Sequence, residues 1–166
     1  MPEVGTIDLT WEDIVPGRVL AKQTYLITPE DIREEAEAYE DYNPLYSDDD
    51  FASKSDLGSV VAPFYITLGE FLPGLLKVDL KMGVNTIYSG SIKESFQPMF
   101  VGDVITKTLA FEAKFEKRGK KFLTWRIEWK NQKDELVKRH IRTSYWVGTP
   151  QPLIGMDRHG RQVVGA

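Results

Sequence analysis

The stretch Val60-Val61-Ala62-Pro63-Phe64-Tyr65-Ile66-Thr67-Leu68-Gly69-Glu70-Phe71-Leu72-Pro73-Gly74-Leu75-Leu76-Lys77 is the most apolar run of the sequence. Pro63 suits a first helical turn, where a missing N–H costs no intrahelical bond. From there Phe64, Leu68, Phe71 and Leu75 mark one stripe, and Ile66, Leu72 and Leu76 another. A helix apolar on most sides is buried on most sides. The pattern therefore predicts a long central helix from about Pro63, kinked or frayed at Pro73-Gly74. Glu70, Pro73 and the glycines leave the run too interrupted, and it is too short, for a membrane span.

The chain that follows needs such a helix to wrap around. From Asn85 the period changes to two. Strands are predicted over 85–96, 103–116, 121–129 and 136–147, separated by turns at 98–102, Arg118-Gly119 and 131–134. Leu123, Trp125, Ile127 and Trp129 alternate strictly, as in a half-buried strand, and both tryptophans read as core or interface residues. In the last strand Val137, Ile141, Tyr145 and Val147 read as one face. Upstream, residues 1–17 form a lead-in that ends in the turn Pro16-Gly17, and 18–27 reads as an early strand. Thr28-Pro29-Glu30-Asp31 carries the spacing of a capping box and opens a helix to about Tyr39. One early strand, one short helix, one long buried helix and four long strands in a meander give an α+β domain over 1–148. Its antiparallel sheet is expected to curl around the central helix, and 149–166 to form an extended tail.

Composition narrows the function. Net charge is −4 with Lys and Arg scattered, so no basic stripe supports nucleic-acid binding. The absence of Cys excludes disulfides and thiolate metal sites. Met-Pro-Glu-Val-Gly at the start lacks the pattern of a secretion signal, and a cytoplasmic protein is expected. Asp48-Asp49-Asp50 lacks the glycine and distal glutamate of a calcium loop; it reads as the cap of a short helix into Phe51-Ala52, and no metal is expected. Glu34, Glu35, Glu37 and Glu40 read as a solvated helix face, and His140 as a strand histidine on a solvated face.

Two motifs carry a resemblance. Asp41-Tyr42-Asn43-Pro44-Leu45-Tyr46 resembles the Asp-x-Asn-Pro-Leu-His signature of the MaoC-like, hydratase-2 group of hot-dog proteins. Phe96-Gln97-Pro98-Met99-Phe100-Val101-Gly102-Asp103 is similar to that group's Phe-x-x-Pro-x-x-x-Gly-Asp turn. The resemblance covers roughly residues 10–148 and implies a hot-dog fold. It also implies hydration of 2-enoyl thioesters, or dehydration of 3-hydroxyacyl thioesters, carried on coenzyme A or acyl carrier protein, with no other cofactor. In the family the motif Asp activates water and the His transfers the α-proton. Backbone N–H groups at the start of the central helix hold the thioester oxygen.

The resemblance assigns Asp41 and Tyr46 to the catalytic positions, and Asn43, Pro63, Phe64 and Tyr65 to substrate binding. Two departures follow. Tyr46 stands where the His belongs, and a phenol with a pKa near about 10 is a poor base at neutral pH. The family's Ala-His-Gly at the helix start is here Ala62-Pro63-Phe64, so a phenylalanine replaces the glycine that admits the thioester. Both are similar to the substrate-binding units of paired hot-dog dehydratases. The implied protein is that partner of a catalytic hot-dog subunit, as a heteromer or homodimer. The alternatives are a non-enzymatic acyl-thioester-binding protein and a hot-dog thioesterase.

Overall fold

The computed structural model describes residues 6–68, 79–82, 85–147, 154–156 and 162–164. In chain order these form β1 (Thr6–Leu9), β2 (Val19–Leu26), α1 (Pro29–Ala38), α2 (Asp49–Ser53), β3 (Asp79–Met82), β4 (Asn85–Ser95), β5 (Val104–Lys117), β6 (Lys120–Lys130), β7 (Leu136–Val147), β8 (Ile154–Met156) and β9 (Gln162–Val164). The main sheet has five strands in the order β2-β5-β6-β7-β4, every neighbour antiparallel. β1 pairs with β3 in parallel, and β8 with β9 antiparallel.

The fold is the α+β hot-dog architecture, with a correction to connectivity. Only β5, β6 and β7 form a meander. Arg118 and Gly119, at φ 53 and 70, make the two-residue turn that suits a twisted hairpin. Asn131 Oδ1 accepts from the N–H groups of Lys133 and Glu135, both at 3.0 Å, and closes the next one. The segment between β4 and β5 closes no hairpin. Phe96 N–H donates to the Val137 carbonyl at 2.9 Å, while Gly102 N–H and the Asp103 carbonyl both bond Ile27, each at 2.9 Å. These bonds leave β4 beside β7 and deliver β5 beside β2. Gly102 adopts φ 88, which a residue with a Cβ strains to reach.

α1 forms as its sequence dictates. Thr28 Oγ1 accepts from Asp31 N–H at 3.1 Å, and the Asp31 carboxylate accepts from Thr28 N–H at 2.9 Å, completing the capping box. Ile32 and Ala36 turn inward. The lead-in does more than expected. Ile14 is fully buried, and Trp11 meets Trp146 edge-on at 5.7 Å.

The core lies on one face of the sheet, where Ile105, Leu109, Phe111, Leu123, Trp125, Ile127 and Trp129 are buried. Register decides what joins them. Residues paired across strands share a face, and the β6 row Trp129, Ile127, Trp125 and Leu123 pairs with Lys138, His140, Arg142 and Ser144 of β7. The inner side of β7 is therefore its polar side, and Lys138, His140 and Ser144 are buried. The expectation of a solvated His140 is thus wrong. Of the residues read as one face, Val137, at the register shift opposite Trp129 and Lys130, is buried in the core, whereas Ile141 and Tyr145 share the outer side with Arg139. That side carries a ladder of charges in which Arg126 meets Glu112 at 3.0 Å and Arg139 meets Glu128 at 3.3 Å and Glu94 at 3.4 Å.

A second correction concerns the predicted helix. Residues 63–68 form a turn: Ile66 N–H donates to the Pro63 carbonyl at 3.0 Å, and Leu68 adopts φ 45. No helix starts at Pro63, because Leu68 leaves the right-handed helical region; the carbonyls of Ile66, Thr67 and Leu68 accept bonds from Lys138 and Lys107. Residues 69–78, on which the rest of that helix falls, lie outside the described residues.

α1 ends in a Schellman turn with a non-glycine at the left-handed position. Glu40 has φ 54, its N–H donates to the Glu37 carbonyl at 3.0 Å, and Asp41 N–H donates to the Ala36 carbonyl at 2.9 Å. Glu40→Gly should relieve this strain and stabilise the fold by about 1 kcal/mol, read as a higher urea midpoint with an unchanged slope. A lower midpoint would show that the Glu40 side chain contributes more than its backbone costs.

Candidate functional site

The Schellman turn delivers Asp41 to the head of the motif loop. Asn43 Oδ1 accepts from Leu45 N–H at 3.0 Å and caps a one-turn 3-10 helix, Pro44–Tyr46. The loop is then stitched to the segment beyond. Val61 N–H donates to the Leu45 carbonyl at 3.1 Å, and Ala62 N–H to the Met99 carbonyl at 2.7 Å. Val61 also bridges Phe100 in the second motif. The two motifs thus grip residues 60–62 between them, and the chain that follows turns back over the loop.

This brings the Tyr65 hydroxyl to Asp41, where it donates to Oδ2 at 2.9 Å. Asn43 N–H approaches Oδ1 at 3.3 Å. The Tyr65 ring lies 4.5 Å from Tyr39 and 5.4 Å from Phe64, centroid to centroid. Behind it, Thr67 Oγ1 donates to Glu35 Oε1 at 3.2 Å. Burial, then the hydrogen bond and charge of Asp41, push the Tyr65 phenol far above its ordinary value. Tyr46 is raised as well, by burial first and then by the Asp41 charge. Both phenols hold their protons at neutral pH, and Tyr65 donates its proton to Asp41.

Of the residues singled out from sequence, Asp41, Tyr46 and Tyr65 come together. Asn43 shapes the loop through its cap. Pro63 is buried, and Phe64 is 72% exposed. Phe64 borders a groove of about 340 Å³ with Val61, Ala62, Phe96, Met99 and Val137, an apolar wall beside the Asp41 cluster. Among the described residues, no group of three or more His, Asp or Glu is placed to hold a metal ion.

The family model of the FAS1-like dehydratase domain region matches residues 15–140. The chain belongs to this family, within the MaoC-like hot-dog dehydratases. No protein of curated function matches the sequence. Among solved structures, the monoamine oxidase regulatory protein from Archaeoglobus fulgidus is 24% identical, covering 86% of this chain and 97% of its own, with a TM-score of 0.73. The MaoC-like dehydratase from Rhodospirillum rubrum is 20% identical over 86% of this chain and 99% of its own, with a TM-score of 0.70. One chain of the HadBC 3R-hydroxyacyl-ACP dehydratase complex from Mycobacterium tuberculosis is 18% identical over 79% and 96%, with a TM-score of 0.60. At these identities the likeness is one of fold.

In this MaoC-like chain the motif histidine is absent, and the structure shows what surrounds Asp41 in its stead. Sequence reading missed Lys107 and Lys138, both buried on the inner face behind Tyr65. For Lys107 the signal was present: it sits between Ile105 and Leu109 at core-facing spacing.

The raised phenol has a thermodynamic consequence. In the unfolded chain Tyr65 ionises near about pH 10, whereas in the fold it stays protonated to higher pH. Above about pH 10 the unfolded state loses its proton first, so stability falls as pH rises through that range. Urea unfolding from about pH 8 to about pH 11 should show this decline, and Tyr65→Phe should flatten it. An equal decline in the variant would assign it to other groups.

Proposed function

We propose that this chain is the substrate-binding partner of a catalytic hot-dog subunit, in an enoyl-thioester hydratase or 3-hydroxyacyl-thioester dehydratase. The observation that carries the reading is the Asp41 carboxylate, bonded to a phenol that keeps its proton, with a second phenol at the histidine position. Hydration of a 2-enoyl thioester needs a base to take a proton from water and an acid to deliver one to the α-carbon. Asp41 can still take the proton from water, but both phenols are held above their ordinary ionisation, so they deliver a proton to the α-carbon far less readily than an imidazolium would. Loss of one acid–base partner typically costs about 10²–10⁴ in rate. Phe64 adds a steric obstacle where the family's glycine admits the thioester.

The apolar groove beside Phe64 supports a role in holding an acyl chain. The carrier on this reading is coenzyme A or acyl carrier protein, and the setting the cytoplasm. Assembly of the HadBC complex from similar hot-dog units favours a heteromer. β2 and β4 are the edges of the sheet, and β4 exposes Ile87 and Ile92, at 58% and 63%, as an apolar border suited to edge-to-edge pairing.

The test is hydration of crotonyl and longer enoyl thioesters by the pure chain and by the chain with a catalytic hot-dog subunit. The pure chain should turn over at least about 10²-fold more slowly than the pair. Asp41→Ala in this chain should leave the kcat of the pair nearly unchanged while raising KM. High turnover by the pure protein that vanishes in Asp41→Ala would overturn the reading. Release of free thiol would point to a thioesterase, and tight binding without chemistry in any pairing to a non-enzymatic acyl-thioester carrier.

A further inference from the structure

Two lysines are buried beneath the candidate site. Lys107 of β5 and Lys138 of β7 are 0% and 2% exposed. Both pair with Trp129 of β6, one from each side, so that the three form a row across the inner face. Their ammonium groups lie 4.8 and 4.1 Å from the Trp129 ring centroid. An ammonium is strongly disfavoured in an apolar interior unless acceptors replace its water. Backbone carbonyls are among those acceptors here. Lys138 Nζ donates to the Ile66 carbonyl at 2.7 Å, and Lys107 Nζ to the carbonyls of Thr67 and Leu68 at 2.9 and 2.8 Å.

Those three carbonyls belong to the three residues that follow Tyr65. On its other side the segment is tied at Ala62, whose N–H donates to the Met99 carbonyl. Tyr65 is therefore carried on a short strap anchored at both ends. One anchor is ordinary backbone pairing. The other consists of charge-assisted bonds from two rigid central strands, which are stronger and shorter than neutral ones. Apolar side chains would fill the same space but could not satisfy three inward-facing carbonyls.

We propose that Lys107 and Lys138 are positioning residues for the Asp41–Tyr65 pair, seating the strap after Tyr65 so that its hydroxyl meets the carboxylate. This deepens the proposed function, since it rests on reading that pair as the site. Its test uses no substrate, so it fails or succeeds independently of the catalytic role.

The probe is the protein labelled with ¹³C at the tyrosine Cζ, with the Tyr65 signal assigned by its loss in Tyr65→Phe. In Lys107→Met and Lys138→Met the Tyr65 titration should fall toward the ordinary phenol value near about 10. Lys107→Arg and Lys138→Arg should restore it at least in part, because a donor is returned. Folded methionine variants with an unmoved Tyr65 titration would overturn the proposal. Should those variants not fold, the reciprocal measurement decides, because coupling between two sites runs both ways. In Tyr65→Phe, with both lysines intact, the ¹⁵N-detected ammonium protons of Lys107 and Lys138 should exchange with water faster than in the unaltered protein. Unchanged exchange would contradict the coupling.

Discussion

The hydrogen bond from the Tyr65 hydroxyl to the Asp41 carboxylate is the contact on which the site depends. It joins two segments that no regular element connects: the loop leaving α1 and the strap leaving Ala62. Each arrives by its own route. Asp41 is delivered by a Schellman turn that forces Glu40 into the left-handed region. Tyr65 is delivered by a strap held to the second motif at Met99 and to the sheet at Lys107 and Lys138. The bond also determines what the site can do. A carboxylate that accepts from one raised phenol, beside a second, has weak acids around it where the family motif has an imidazole.

Much of this was legible in the sequence. The capping box at Thr28, the cap at Asp48 and the two-residue turn at Arg118-Gly119 are local chemistry, and local chemistry needs only a few neighbouring residues to be read. The alternation over 121–129 gave β6 and its core face for the same reason. What failed depended on neighbours distant in sequence. The polar side of β7 is its buried side because register with β6 overrode the apolar appearance of Ile141 and Tyr145. β4 left the meander because Phe96 and Gly102 bond residues outside a hairpin. The stripe at Phe64 and Leu68 starts no helix at Pro63, and the carbonyls after Tyr65 meet two lysines about forty residues and more further along the chain.

The candidate site shows the same division. The motifs pointed to Asp41 and Tyr46, which the fold brings near each other, and the departures from the family pattern fall at Tyr46 and Phe64. Tyr65 was read as a contact to substrate at the start of a helix, and its partner Asp41 came to light only in three dimensions. The lysines behind it were passed over because charged residues in strands are ordinarily solvated. Membership of a dehydratase family and an altered acid–base pair are the two observations from which the proposed partner role is argued.

The central claim is that Tyr65 beside Asp41 is a proton-holding donor and not a base. The most direct measurement is the ionisation of Tyr65 itself, followed by the ¹³C shift of its Cζ as pH is raised. The account predicts a phenol still neutral well past about pH 10. A Tyr65 that ionises at or below that value would place a phenolate base beside Asp41 and contradict the account.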